Sequence, residues 1–205
     1  MTAHKAIASR KPARRPSGAA REEQLLKRAL ALFSEVGYHE TSLQQIADHL
    51  GITRPLFYYY FESKEDLLSK LIGHLGDAML ERVRPALESD GGPLEVLEET
   101  FRTHVGVLLE NREAFRVYFA ERNLGKELRF PHVLKGEEQY MALVTGVVQH
   151  GQELGLVRPG NARVVALFAT GMLNSVLRWY APGGALQPDE IGRTASMMAL
   201  GSLRP

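Results

Sequence analysis

The chain has 205 residues, with 25 Lys and Arg against 24 Asp and Glu, a net charge of +1. It has no cysteine, which excludes disulfides, thiolate metal sites and cysteine nucleophiles, and fits a cytoplasmic protein. No apolar run approaches the ~18 residues of a membrane span, so no membrane partner is expected.

The charge is unevenly spread. Residues 1–64 carry ten Lys and Arg against six Asp and Glu, and residues 65–205 carry 15 against 18. The basic excess therefore falls at the N-terminal end, as expected of a DNA-binding head on a larger body.

In residues 1–17, Lys5, Arg10, Lys11, Arg14 and Arg15 occur with no acidic residue, and Pro12, Pro16 and Gly18 discourage helix. This arm, residues 1–18, reads as flexible in the free protein. The same composition suits a segment that orders along phosphates or in a minor groove. A first helix is expected over about residues 19–36, where Leu25, Ala29, Leu32, Phe33 and Val36 form one stripe and Gly37 stops it.

The next stretch is the most informative. Thr41 or Ser42 can cap a short helix, with Gln44 or Gln45 placed to answer the cap. Ile46, Ala47 and Leu50 follow on one face, and Gly51 stands where a left-handed turn is wanted. Thr53 can cap a second short helix with Pro55 in its first turn. Two helices crossing steeply need a small residue at the crossing, and Ala47 supplies it four positions before the glycine. Small residue, glycine and apolar flanks together match a helix-turn-helix better than a generic hairpin.

Residues 51–68, GITRPLFYYYFESKEDLL, resemble the recognition-helix segment of the TetR family of transcriptional regulators. The family pattern is a valine or isoleucine, a serine or threonine, two variable residues, an aromatic-rich LY-x-x-F and then KE-x-L. Ile52, Thr53, Phe57–Tyr58, Phe61, Lys64–Glu65 and Leu67–Leu68 fill it here. Upstream, Gly37, Thr41–Ser42, Ile46–Ala47 and Gly51 also match, so the likeness is dense over about residues 25–75. Pro55 and Leu56 depart from it, at positions where glycine and a small polar residue are common.

Reading bases needs side chains that enter the major groove, and fixing the helix needs donors on phosphates. Thr53, Arg54 and Leu56 lie at the exposed start of the second short helix. Arg54 is suited to a guanine's O6 and N7, and Leu56 to a thymine methyl. The resemblance implies phosphate contacts through Tyr58 and Tyr59, with Tyr60 and Phe57 at core-facing positions and Tyr60 also in reach of a phosphate. Three adjacent tyrosines cannot all face inward on a helix, so at least one is exposed; core filling and an aromatic ligand platform are the other readings. Lys64, at the start of the fourth helix, suits a phosphate, as do Thr41 and Ser42.

A fourth helix opens at Ser63, a good N-cap with Asp66 three residues on, and its apolar pattern extends to about residue 88 despite Gly73 and Gly76. The resemblance makes it the lever between body and head. After the break at residues 89–93, Leu94, Leu97, Phe101, His104, Val105 and Leu108 mark a fifth helix. Phe115, Val117, Tyr118 and Phe119 mark a short sixth after Asn111. A loop over residues 125–131 precedes a seventh helix over about 132–154, with Met141, Val144, Val147 and Val148. An eighth is expected over about 161–180 and a last over about 188–203. The fold class expected is all-α, about nine helices. Residues 19–66 form the DNA-binding domain and residues 67–205 a ligand-binding and dimerisation domain.

The last two helices mix small residues (Ala166, Ala169, Gly171, Ser175, Ala195, Ser196, Ala199, Gly201) with apolar ones. Close packing within one chain explains this, as does the four-helix homodimer interface that the resemblance implies. The body exceeds what DNA binding needs, and in the resembling family it encloses a small-molecule effector. Phe101, His104, Phe115, Tyr118, Met141 and Phe168 are the candidate pocket residues, each also readable as plain core.

No HExxH, P-loop, GxSxG or GxGxxG is present, and none of the seven histidines follows a glutamate by three residues. No catalytic residue, metal site or cofactor is expected. The reading is a ligand-responsive homodimeric repressor on a palindromic, double-stranded DNA operator. A DNA-organising protein with the same head and no effector is the alternative.

Overall fold

The computed structural model describes residues 18–121 and 131–205, with side chains at 131–133 left aside. The basic arm expected over 1–18, apart from Gly18, which opens the first helix, and the loop expected over 125–131, apart from Pro131, lie outside the described residues. Within them the chain is all-helical: α1 (Gly18–Val36), α2 (Leu43–Leu50), α3 (Arg54–Tyr60), α4 (Lys64–Ile72), α5 (Leu75–Leu87), α6 (Pro93–Glu110), α7 (Arg112–Glu121), α8 (Pro131–Glu153), α9 (Ala162–Asn174), α10 (Val176–Trp179) and α11 (Pro188–Leu203). None of the described helices is long and apolar enough to cross a membrane.

Two expected helices are interrupted. The fourth breaks at Gly73 and His74, so it becomes α4 and α5. The eighth breaks at Ser175, where Ser175 N–H donates to the Met172 carbonyl and Arg178 N–H to the Ser175 carbonyl. These three-residue bonds tighten the turn and re-aim α10.

The head is built on α1. Leu25, Ala29, Leu32 and Phe33 are buried and pack on α2 and α4. Val36 is exposed, because the chain leaves the helix at Gly37 in a positive-φ turn. Ser42 caps α2: its hydroxyl accepts from Gln45 N–H at 3.3 Å, and Gln45 Oε1 accepts from Ser42 N–H at 2.8 Å. Gly51 ends α2 at φ 68°, a conformation that only glycine adopts freely. Ala47 is fully buried beneath it. Arg28 of α1 completes the α2 terminus by donating to the carbonyls of Leu50, at 2.7 Å, and His49. These are the free acceptors of the last turn, which a cation favours.

In the body, α6 is central, packed by α5, α8, α9 and α11. Leu97, Phe101, Val105 and Leu108 form its inner stripe. Where α5 meets α8, backbones touch: a Cβ on Gly136 would lie 2.7 Å from the Gly76 carbonyl carbon. Head and body meet through α7, whose neighbours include both α1 and α4.

Candidate nucleic-acid interface and ligand cavity

The exposed face of α3 follows from its short length. Phe57 is buried against Phe61 and anchors the helix, which leaves its first turn outside. Thr53 caps it, the hydroxyl accepting from Leu56 N–H at 3.4 Å. Arg54, Pro55 and Leu56 are exposed on that turn, and Arg54 has no ion pair among the described residues. Tyr58 and Tyr59 are 50% and 78% exposed, whereas Tyr60 is half-buried against the core. Two of the three tyrosines therefore face solvent. Ser42 is exposed at the start of α2, on its cap.

Two expected phosphate contacts are placed differently. Thr41 is buried, and its hydroxyl donates to the Gly37 carbonyl at 2.6 Å, closing the turn after α1. It is a structural residue, since a hydroxyl that closes a buried turn does not face a duplex. Lys64 is turned inward, its Nζ 4.2 Å from the centre of the Tyr38 ring. Burial lowers its pKa, opposed by the charges of Glu65, Glu121 and Glu40. Tyr38 donates to Glu65 at 3.3 Å, and burial followed by the Glu65 charge raises the phenol's pKa. On the body side, Glu121 of α7 is buried with its Oε2 2.8 Å from His39 Nε2.

The body holds a cavity of about 240 Å³ between α5, α6, α7, α8 and α9. His104, Phe115, Tyr118 and Met141 line it. Phe101 does not: it is fully buried in the core. Phe168 is 77% exposed on the outside of α9. The cavity face of α9 is Leu167, Thr170, Gly171 and Asn174, and Phe168 lies one helical step beyond, with Val164 and Met172. Val164, Phe168 and Met172 form an apolar stripe on the outer face.

Tyr140, Asn174 and Glu137 add polar groups to the cavity that periodicity does not single out. His104 meets Tyr140 Oη through Nδ1 at 2.8 Å and Asn174 Oδ1 through Nε2 at 2.9 Å. Asn174 Oδ1 only accepts, so Nε2 carries the proton and Nδ1 accepts from the phenol. Full burial lowers the imidazole pKa to about 4, with the Asn174 bond opposing. The ring is therefore neutral at pH 7. Tyr118 donates to Glu137 Oε2 at 2.9 Å across the other wall. No cluster of three or more His, Asp or Glu among the described residues is arranged to hold a metal.

Comparison with known proteins agrees with this layout. The family model for bacterial regulatory proteins of the tetR family matches residues 25–71, and the model for the tetracyclin repressor-like C-terminal domain matches residues 90–203. The transcriptional repressor KstR2 of Mycobacterium tuberculosis is 29% identical over 185 residues, 89% of this chain and 92% of that protein. The solved structure of that ketosteroid regulator superposes with a TM-score of 0.81 at 28% identity, covering 90% of this chain and 95% of its own. AibR, solved with isovaleryl coenzyme A and operator DNA, has a TM-score of 0.74 at 25% identity over 87% of this chain and 97% of its own. With a head and a body each matched by the family's own models, the chain belongs to the TetR family of bacterial transcriptional regulators.

Proposed function

We propose that the protein is a ligand-responsive, homodimeric repressor that binds a palindromic double-stranded DNA operator in the cytoplasm and does no catalysis. The observation that carries this reading is the first turn of α3, which presents Thr53, Arg54 and Leu56 outward on a helix pinned by Phe57. Those three residues read bases. Ser42, Tyr58, Tyr59 and Tyr60 hold phosphates, and Lys64 joins them on DNA by leaving the Tyr38 ring. The chain divides into an arm (1–18), a head (19–66) and a body (67–205). Two copies pair through the outer faces of α9 and α11, where Val164, Phe168, Met172, Met197 and Met198 are exposed. The two recognition helices then lie about one DNA turn apart, roughly 34–36 Å.

The effector occupies the cavity, and it acts only through its different affinities for the DNA-binding and released states. That AibR was solved with both a coenzyme A thioester and operator DNA supports a pairing of small molecule and operator here.

Footprinting on the DNA upstream of its own gene tests the reading. A short, two-fold symmetric footprint is expected; uniform coating of DNA would favour a DNA-organising role. Arg54→Ala should weaken operator binding by ~1–3 kcal/mol and relax preference at one base pair. Equal loss on all sequences would make Arg54 a phosphate contact instead.

A further inference from the structure

Lys64 has two places to be. On DNA, under the function proposed above, it meets a phosphate. In the free chain its ammonium lies over the Tyr38 ring, 4.2 Å from the centre. As the first residue of α4 it stands at the positive end of a helix, where a cation is disfavoured. Side-chain contacts, rather than the helix, therefore hold it inward.

Three carboxylates act on that ammonium: Glu65, Glu121 and Glu40. Glu65 and Glu40 belong to the head and are exposed, so water and salt weaken their pull. Glu65 is also committed elsewhere, since its Oε1 accepts from the Tyr38 hydroxyl at 3.3 Å.

Glu121 differs on both counts. It is the last residue of α7, in the body, and its side chain is only 6% exposed. A buried carboxylate is costly to keep unless a charge or hydrogen bonds offset it. Its Oε2 makes no hydrogen bond among the described residues. His39 Nε2 lies 2.8 Å away, and an imidazole balances a carboxylate only when protonated. The charge of Glu121 also reaches Lys64 and Tyr38. Tyr38 carries the link: Lys64 lies over its face, and His39 meets it edge-on with ring centres 5.1 Å apart.

From this arrangement we infer that Glu121 is a positioning residue for DNA binding, a carboxylate of the body that stands in for a DNA phosphate and holds Lys64 against Tyr38. A duplex must take Lys64 from Glu121 before its own phosphate gains the contact. Glu121 therefore lowers the affinity of the free chain for DNA. The same helix lines the cavity through Phe115, Tyr118 and Phe119, so the restraining anion is carried on the cavity's wall. The inference rests on the phosphate role proposed for Lys64.

A double-mutant cycle on the full chain, Glu121→Gln with Lys64→Met, is the test, read by fluorescence anisotropy. One probe is the duplex footprinted upstream of the gene, and the other is a random-sequence duplex of equal length, since phosphate contacts act on both. Glu121→Gln is expected to tighten binding of both duplexes about threefold or more, and to do nothing once Lys64 is replaced. Lys64→Met alone should weaken both and shallow the slope of log affinity against log salt by about one. Glu121→Met, which leaves no polar group buried, should repeat the gain. Glu121→Asp, which keeps the charge, should not. Circular dichroism and solution mass equal to the parent's separate a lost charge from a damaged fold. No gain in either neutral variant would overturn the inference. So would an equal gain in the Lys64→Met background, which would mark a general effect of net charge. Parental affinity and salt slope in Lys64→Met would overturn it as well, while a symmetric footprint would leave the regulator standing. A chain that shows the cycle on the random duplex but footprints nowhere keeps the role of Glu121 and loses the operator.

Discussion

His104 is the most demanding residue of the body. It is fully buried, neutral and bonded at both nitrogens, to Tyr140 and Asn174. An unfolded histidine takes up its proton near pH 6.5, and the folded ring resists until about 4. The unfolded chain therefore binds more protons between those values. The stability due to the neutral ring is complete above about pH 6.5 and is lost as pH falls towards 4, with a ceiling of about 3 kcal/mol. Urea unfolding at pH 7, 6 and 5 should show the decline. His104→Gln, which retains polar groups but not the titration, should flatten it; an equally steep decline in the variant would place the sensitivity elsewhere. His104 was legible in the sequence as a pocket candidate. Tyr140 and Asn174 were not, because they lie 36 and 70 positions away and no periodicity links polar residues on different helices. Thr41 was misassigned for a related reason: a threonine before a helix reads as a cap, and only the turn at Gly37 shows that its hydroxyl points inward.

At the scale of elements, ends were more legible than faces. Ser42, Gly51, Thr53 and Ser63 act through neighbours three or four residues away, so their signals are local and each stands at its expected helix boundary. The two breaks were not foreseen. Gly73 and Gly76 weakened the fourth helix without locating its kink, and Ser175 gives no breaker signal. The inner face of α9 was hidden because an exposed apolar stripe on its outer side has the same period. The meaning of Gly136 appears only in the crossing of α5 and α8. There Gly136→Ala would drive a methyl group against the Gly76 backbone, which cannot move like a side-chain tip. A loss of about 1–3 kcal/mol is expected from overpacking. Thermal unfolding checks it, and a melting point unchanged from the parent would show that the helices separate freely.

For the whole molecule, the proposed dimer rests on the exposed face of α9 and α11. Phe168, Met197 and Met198 are 77%, 65% and 59% exposed, beside Gly201, whose added Cβ would meet nothing. A monomer seldom leaves so many large apolar groups together in water. Sedimentation equilibrium at micromolar concentration should give twice the 22.8 kDa chain mass. Phe168→Glu with Met197→Lys should halve that mass without loss of helix; a wild-type chain running at 22.8 kDa would remove the dimer from the proposal.

Helix α7 belongs to both halves of the molecule. Phe115, Tyr118 and Phe119 face the cavity, while Glu121 at its end is buried beside His39 in the turn after α1. Under the proposed ligand response, a change in the attitude of α7 at the cavity would be felt at the head. By thermodynamic reciprocity the operator is then itself an effector: if ligand lowers DNA affinity by some factor, DNA lowers ligand affinity by the same factor. A chain resting on its operator would read its ligand with a blunter threshold than the same chain free in solution. The concentration at which a promoter opens would thus depend on how many operators share the pool of repressor.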